Sequence, residues 1–149
     1  MSQVILLVED NASDEKLTVL AFNRCGVAND IVVVRDGAAA LDYLFATGKH
    51  AGRDAGLHPT VVLLDLNLPK IDGLEVLRRI RADARTRLLP VVVLTASREE
   101  EDVLKSYSLG ANAYVRKPVA FAEFAEAAKT LGLFWLLLNE PAPAPRGSS

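Results

Sequence analysis

The chain has 149 residues, half of them hydrophobic, which suits one domain around a single core. Seventeen Lys and Arg against nineteen Asp and Glu leave a net charge of -2, without the basic excess of a nucleic-acid surface. One cysteine, Cys25, excludes an internal disulfide and suits a reducing compartment. Glu9 and Asp10 interrupt the first apolar run, so no signal peptide is read. Leu133 to Leu138, the longest apolar stretch near the C-terminus, falls far short of the roughly 20 residues a membrane span needs. The expected location is the cytoplasm.

Val4 to Val8 reads as a first buried strand ending at Glu9-Asp10. Asn11 and Ser13 are capping residues, and Asp14 and Glu15 fall in the first turn of a helix. Leu17, Leu20 and Ala21 follow at helical spacing, with Gly26 as the stop. Ile31 to Val34 is the second strand. Asp36-Gly37 opens a helix carrying Ala40, Leu41, Leu44 and Phe45. Residues 47–59 show no periodicity and read as an extended surface loop, of a length that is uncommon and either functional or a tolerated insertion. His50 and His58 lie in it, but without further His or Cys a zinc site is not expected.

Thr60 to Leu64 is the third strand, apolar on both faces as in a parallel sheet, and it ends abruptly at Asp65. Pro69 and Asp72-Gly73 make a tight loop into a third helix, Leu74 to Ile80, with Arg78, Arg79 and Arg81 mostly outside. Val91 to Leu94 is the fourth strand, ending in Thr95-Ala96-Ser97. A charged helix starts at Arg98 and ends at Gly110. Ala113 to Val115 is a fifth strand, followed by Arg116-Lys117-Pro118. Phe121 to Leu138 is the last helix, and the Pro/Ala/Ser tail, residues 139–149, is expected to be disordered. Five strands alternating with five helices predict an α/β fold, a parallel sheet covered on both faces, over residues 1–138.

Parallel strands bring their C-terminal ends to one edge, where open α/β folds bind ligands. That edge would collect Glu9, Asp10, Asp65, Thr95 and Lys117. Clustered carboxylates repel one another, and a hard divalent cation relieves the repulsion. Mg²⁺ would take Asp10 and Asp65 directly, the backbone carbonyl of Asn67, and Glu9 through water. An ammonium and a hydroxyl beside the cation suit phosphoryl transfer, with Asp65 as nucleophile. Taken singly, Thr95 is more often a local cap, Lys117 a solvated charge and Tyr114 half-buried packing; the joint arrangement favours chemistry.

Val8-Glu9-Asp10-Asn11, Asp65-Leu-Asn-Leu-Pro69 with Asp72-Gly73, Leu94-Thr95-Ala96 and Tyr114-Val-Arg-Lys117-Pro118 together resemble the receiver domain of two-component response regulators. The resemblance covers residues from about 3 to 138. It implies a flavodoxin-like, CheY-like sheet of order 2-1-3-4-5, doubly wound with five helices. It also implies phosphorylation of Asp65 by a partner histidine kinase with Mg²⁺, the phosphate read by Thr95 and Lys117, and a Tyr114 rotamer change coupled to Thr95. A cis peptide at Lys117-Pro118 belongs to the same set. Such a protein is a phosphoacceptor, catalysing only its own phosphorylation and dephosphorylation. No effector is read in the sequence, so signalling is expected through the surface of the fourth helix, fifth strand and fifth helix. Residues 131–138 are apolar nearly all round, which predicts a homodimer using Phe134, Trp135, Leu137 and Leu138. The loop at 47–59 and this apolar end look like regulators paired with bacterial and cyanobacterial phytochromes, which implies a bacteriophytochrome kinase as partner. Two rivals are a haloacid-dehalogenase-type phosphatase, which usually needs a second Asp where Asn67 stands, and an interaction domain that is never phosphorylated.

Overall fold

The structure is a computed structural model that describes residues 4–24, 30–54, 58–95, 107–117 and 122; the side chains of residues 21, 22, 24, 95 and 116 are outside the description. Strands β1 (Val4–Val8), β2 (Asp30–Val34), β3 (Val61–Asp65), β4 (Val91–Thr95) and β5 (Ala113–Arg116) form one parallel sheet in the order β2-β1-β3-β4-β5. Helices α1 (Ala12–Arg24), α2 (Gly37–Phe45) and α3 (Gly73–Ala82) link the first four strands. This is the doubly wound, CheY-like fold expected from the sequence. The Gly26 stop, most of the fourth helix, all of the last helix but residue 122, Pro118 and the residues of the expected dimer surface (Phe134, Trp135, Leu137 and Leu138) lie outside the described residues, as does the tail.

Burial along the strands follows their place in the sheet. Every residue of β3 is buried, whereas β2, at an edge, is buried only at Val34. A central parallel strand is covered on both faces, which is why β3 has no polar alternation. Leu6, Val8, Val62 and Leu64 pack with Leu41 and Leu44 of α2 and Val76, Leu77 and Ile80 of α3. Each large aliphatic side chain so buried contributes about 1.5–3 kcal/mol.

The helices begin where side chains satisfy their open N–H groups. Asn11, Asp36 and Asp72 accept from Asp14 N–H at 2.9 Å, Ala39 N–H at 2.7 Å and Glu75 N–H at 2.9 Å. Gly73 explains the Asp-Gly pair: a Cβ there would lie 2.3 Å from the Asp65 carbonyl oxygen and 2.6 Å from Leu66 Cα. Helix α3 thus starts pressed against the end of β3, an approach that only glycine permits.

Three local expectations differ from the structure. Leu17 and Leu20, at helical spacing on α1, are each 48% exposed, while Thr18 on the same helix is buried. Arg78 and Arg79 do lie outside, bonded to Glu75, but Arg81 turns inward. Its guanidinium donates to the carbonyls of Gly110 (2.9 Å), Arg87 (3.1 Å) and Leu89 (2.7 Å) and to Asn112 Oδ1 (2.7 Å). Nor is the segment after α2 plainly extended. It makes one 3-10 turn, Gly48–His50, and Arg53 folds back over the Tyr43 ring at 4.1 Å while donating to the Tyr43 carbonyl at 2.8 Å. His50 sits edge-on to the same ring, so its role there is packing. Among the described residues, no helix is long and apolar enough to cross a membrane.

Candidate functional site

Strand register decides which side chains meet. Val8 pairs with Leu64, and Asp65 with Leu94, so Glu9 and Asp65 leave adjacent central strands side by side. Thr95 pairs with Arg116, which brings Lys117 to the same edge one residue later. The Glu9 N–H bonds the Val34 carbonyl at 2.9 Å and holds that strand end in the sheet. Asp10, Asn11, Asp14, Asp65, Asn67 and Lys117 line a cleft of about 290 Å³ there.

Lys117 is the centre of the cleft. Its Nζ lies 2.6 Å from Glu9 Oε1, 2.9 Å from Asp65 Oδ2 and 3.1 Å from Asp14 Oδ2. The contacts to Asp65 and Asp14 are hydrogen bonds; the one to Glu9 is an ion pair without hydrogen-bond alignment. The other oxygen of Asp65, Oδ1, accepts from the Asn67 N–H at 3.1 Å. Glu9 Oε2 accepts from the Asn11 N–H at 3.2 Å. The Asp65 carboxylate is therefore aimed by a backbone amide on one oxygen and an ammonium on the other. Its side chain is 5% exposed and that of Glu9 is wholly buried, whereas Asp10 stands in solvent.

The electrostatics follow from this crowding. Burial, with the neighbouring Asp65 charge, pushes the Glu9 carboxyl up to about 7 against the pull of Lys117. Burial alone would lower the Lys117 ammonium, but its close contacts with the Glu9, Asp65 and Asp14 carboxylates outweigh it and raise that group above the ordinary lysine value. Three carboxylates around one ammonium, with Asp10 beside them, leave the cleft negative, and a cation is the natural complement.

The residues fit a hard divalent ion. One carboxylate oxygen each from Glu9, Asp10 and Asp65 lies within 4.8 Å of the others. Oxygens about 2.1 Å from a common Mg²⁺ stand up to roughly 4.2 Å apart, so a small side-chain adjustment closes the set. Among the described residues no histidine or cysteine joins this group, which disfavours the softer transition metals.

Of the residues singled out in the sequence, Glu9, Asp10, Asp65, Asn67 and Lys117 meet at this edge. Asn67 contributes its N–H to Asp65 and is otherwise exposed. The backbone of Thr95 ends β4 beside them; its side chain is outside the description, as is the Lys117-Pro118 peptide. Tyr114 is half-buried on the core, opposite Val93. Asp14 was assigned by sequence only to a helix's first turn, yet it bonds Lys117. The available signal was its spacing: a helix opening at Asn11 turns its first residues back over the strand end.

Comparison with known proteins agrees with the geometry. The chain is 44% identical over 142 residues to the probable methanogenesis regulatory protein FilR2 of Methanothrix harundinacea, covering 95% of this chain and 89% of that one. It is 37% identical over 134 residues to the response regulator Rcp1 of Synechocystis, covering 90% and 89%. The Mn²⁺-bound structure of Rcp1 superposes with a TM-score of 0.74 at 36% identity, over 97% of this chain and 99% of that one. The bacteriophytochrome response regulator AtBRR superposes with a TM-score of 0.84 at 54% identity, over 94% and 99%. The model of the response regulator receiver domain matches residues 5–129, and the chain belongs to that family of two-component signalling proteins.

Proposed function

We propose that this receiver takes a phosphoryl group onto Asp65 from a histidine kinase in the presence of Mg²⁺. The observation that carries the reading is the Asp65 carboxylate held at 2.9 Å by Lys117, with Glu9 and Asp10 beside it. An Asp65 oxygen attacks the phosphorus of a phosphohistidine, the P–N bond breaks, and the imidazole leaves. Water later cleaves the aspartyl phosphate, returning the carboxylate and inorganic phosphate. Asp10 and Asp65 would hold the Mg²⁺, with the Asn67 carbonyl and a water-linked Glu9 completing the set. The ion supplies charge neutralisation for the incoming phosphoryl oxygens. Lys117 and the Thr95 hydroxyl grip two of those oxygens, and Tyr114 follows Thr95. What supports Thr95 is register: its backbone lies level with Arg116, one residue before Lys117.

The output follows from differential binding. A phosphoryl group that Thr95 and Lys117 hold better in one arrangement than another shifts the population of surface shapes on the β5 side of the sheet. A phytochrome-type kinase is the proposed donor, supported by the 54% identity to AtBRR, itself a bacteriophytochrome response regulator. Self-association through Phe134, Trp135, Leu137 and Leu138 belongs to the same proposal and rests on the apolar sequence of residues 131–138. Light scattering at tens of micromolar tests it, and a monodisperse monomer with and without phosphodonor removes it.

The direct experiment is incubation with acetyl phosphate and Mg²⁺, read by intact mass. The wild type gains one phosphoryl group and Asp65→Asn gains none. An equal gain in both would move the acceptor elsewhere. Phosphotransfer profiling then tests the donor: no preference for a phytochrome kinase rejects that partner.

A further inference from the structure

Three carboxyl oxygens crowd the Lys117 ammonium, and they are not equivalent. Glu9 and Asp65 approach from inside, with side chains 0% and 5% exposed, at 2.6 and 2.9 Å. Asp14 approaches from the mouth of the cleft, 31% exposed and farthest at 3.1 Å. An ammonium has three N–H donors and no more. Hydrogen bonds to Asp65 and Asp14 take two of them and Glu9 Oε1 crowds the ammonium besides, so a phosphoryl oxygen arriving at Asp65 competes with these partners. Asp65 carries the phosphoryl group itself, and Glu9 is wholly buried, with no water to replace the contact. Asp14 is different: its carboxylate can rotate into solvent and be rehydrated. Its backbone need not move, since the Asp14 N–H stays bonded to the Asn11 side chain at 2.9 Å.

We propose that Asp14 is a positioning residue that occupies Lys117 in the unphosphorylated protein and is displaced from it by a phosphoryl oxygen. This rests on Asp65 being the phosphoacceptor. Asp14 then competes with the phosphoryl group for one cation, and the competition shortens the life of the phosphorylated state. Release also leaves the Asp14 charge on the first turn of α1 without its counter-ion, which couples site occupancy to the start of that helix.

Removing the competitor should favour phosphorylation. A partly exposed pair contributes up to about 1 kcal/mol, so Asp14→Asn should lengthen the aspartyl phosphate lifetime about two- to fivefold, measured by intact mass after removal of acetyl phosphate. Asp14→Glu, which keeps the charge, should decay within about twofold of the wild type. Two measurements on unphosphorylated protein separate positioning from mere structure. Proton exchange of the ¹⁵N-labelled Lys117 ammonium should quicken in Asp14→Asn and stay slow in Asp14→Glu. The Mg²⁺ dissociation constant of Asp14→Asn should change less than about threefold, because the lost charge faces the ammonium rather than the cation. An unchanged or shorter phosphate lifetime in Asp14→Asn overturns the proposal. So does Mg²⁺ binding weakened about tenfold or more, which would place Asp14 among the cation's own ligands. If the wild type itself gains no phosphoryl group, the reading of Asp65 fails, and unchanged ammonium exchange in Asp14→Asn would dispose of the Asp14–Lys117 contact separately.

Discussion

Each edge of the sheet gathers oxygens around one cation, with opposite consequences. At the C-terminal edge Lys117 meets the carboxylates of Glu9, Asp14 and Asp65. At the other edge Arg81 meets three backbone carbonyls and the Asn112 amide oxygen. Charged acceptors hold the Lys117 ammonium above its ordinary value; Arg81, among neutral acceptors, is lowered by burial. Carboxylates can take a proton, a metal ion or a phosphoryl group. Carbonyls of a folded loop can do none of these. The proposed exchange of partners therefore belongs to one edge, and the other ties α3 to the segments entering β4 and β5. Asn112 Oδ1 also accepts from the Val91 N–H at 2.8 Å, so the tie reaches the first residue of β4.

Breaking the reactive edge should have the largest effect. Asp65→Asn abolishes phosphoryl gain outright while the fold persists, as intact mass and circular dichroism together would show. Breaking the structural edge should do the converse. Arg81→Ala removes this donor from the part-buried Leu89 carbonyl and from three more exposed acceptors, and is expected to cost about 1–3 kcal/mol of stability in denaturant unfolding. The folded fraction should still be phosphorylated. Arg81→Lys should recover less than half of that loss, because an ammonium cannot reproduce the planar fork. Phosphorylation lost in proportion to a defect at Arg81, with no loss of stability, would undo the division between the edges.

A change where α3 meets β3 should affect both properties. Gly73→Ala forces a Cβ against the backbone of Asp65 and Leu66. It should cost about 1–3 kcal/mol and slow phosphorylation by displacing the carboxylate. The smallest effect lies on the outer face of α3. The exposed Glu75 carboxyl is held at about 2, chiefly by its hydrogen bonds to Arg78 and Arg79. A carboxyl depressed in the folded state supports that state above its unfolded value near 4.5, and the support fades as pH falls toward 2. Glu75→Gln should therefore lower the melting temperature slightly at pH 7, with the difference disappearing in strong acid.

The sequence was most legible where chemistry and position coincide. Asp36 and Asp72 precede glycine and cap helices, a local matter that needs no distant partner. Runs such as Val61 to Leu64 are apolar without alternation, which only a doubly covered strand tolerates. The candidate residues at the sheet edge were legible because parallel strands end together. Arg81 was not, since its acceptors lie 6 to 31 residues away and are mainly carbonyls, which every residue carries. The inward Thr18 and outward Leu17 and Leu20 were missed because spacing identifies a stripe without saying what lies opposite it.

Local pattern thus determined, without help, the alternation of strands and helices, most of the helix starts, and which acidic and basic groups reach one end of the sheet. Folding alone decided their roles: that Glu9 is buried while Asp10 stands in water, that Asp14 turns toward Lys117, and that Arg81 serves as a clamp. Adjacent residues share a composition but not an environment. Burial and partner choice depend on segments as distant as Asp14 and Lys117, 103 positions apart, and no local pattern carries that information.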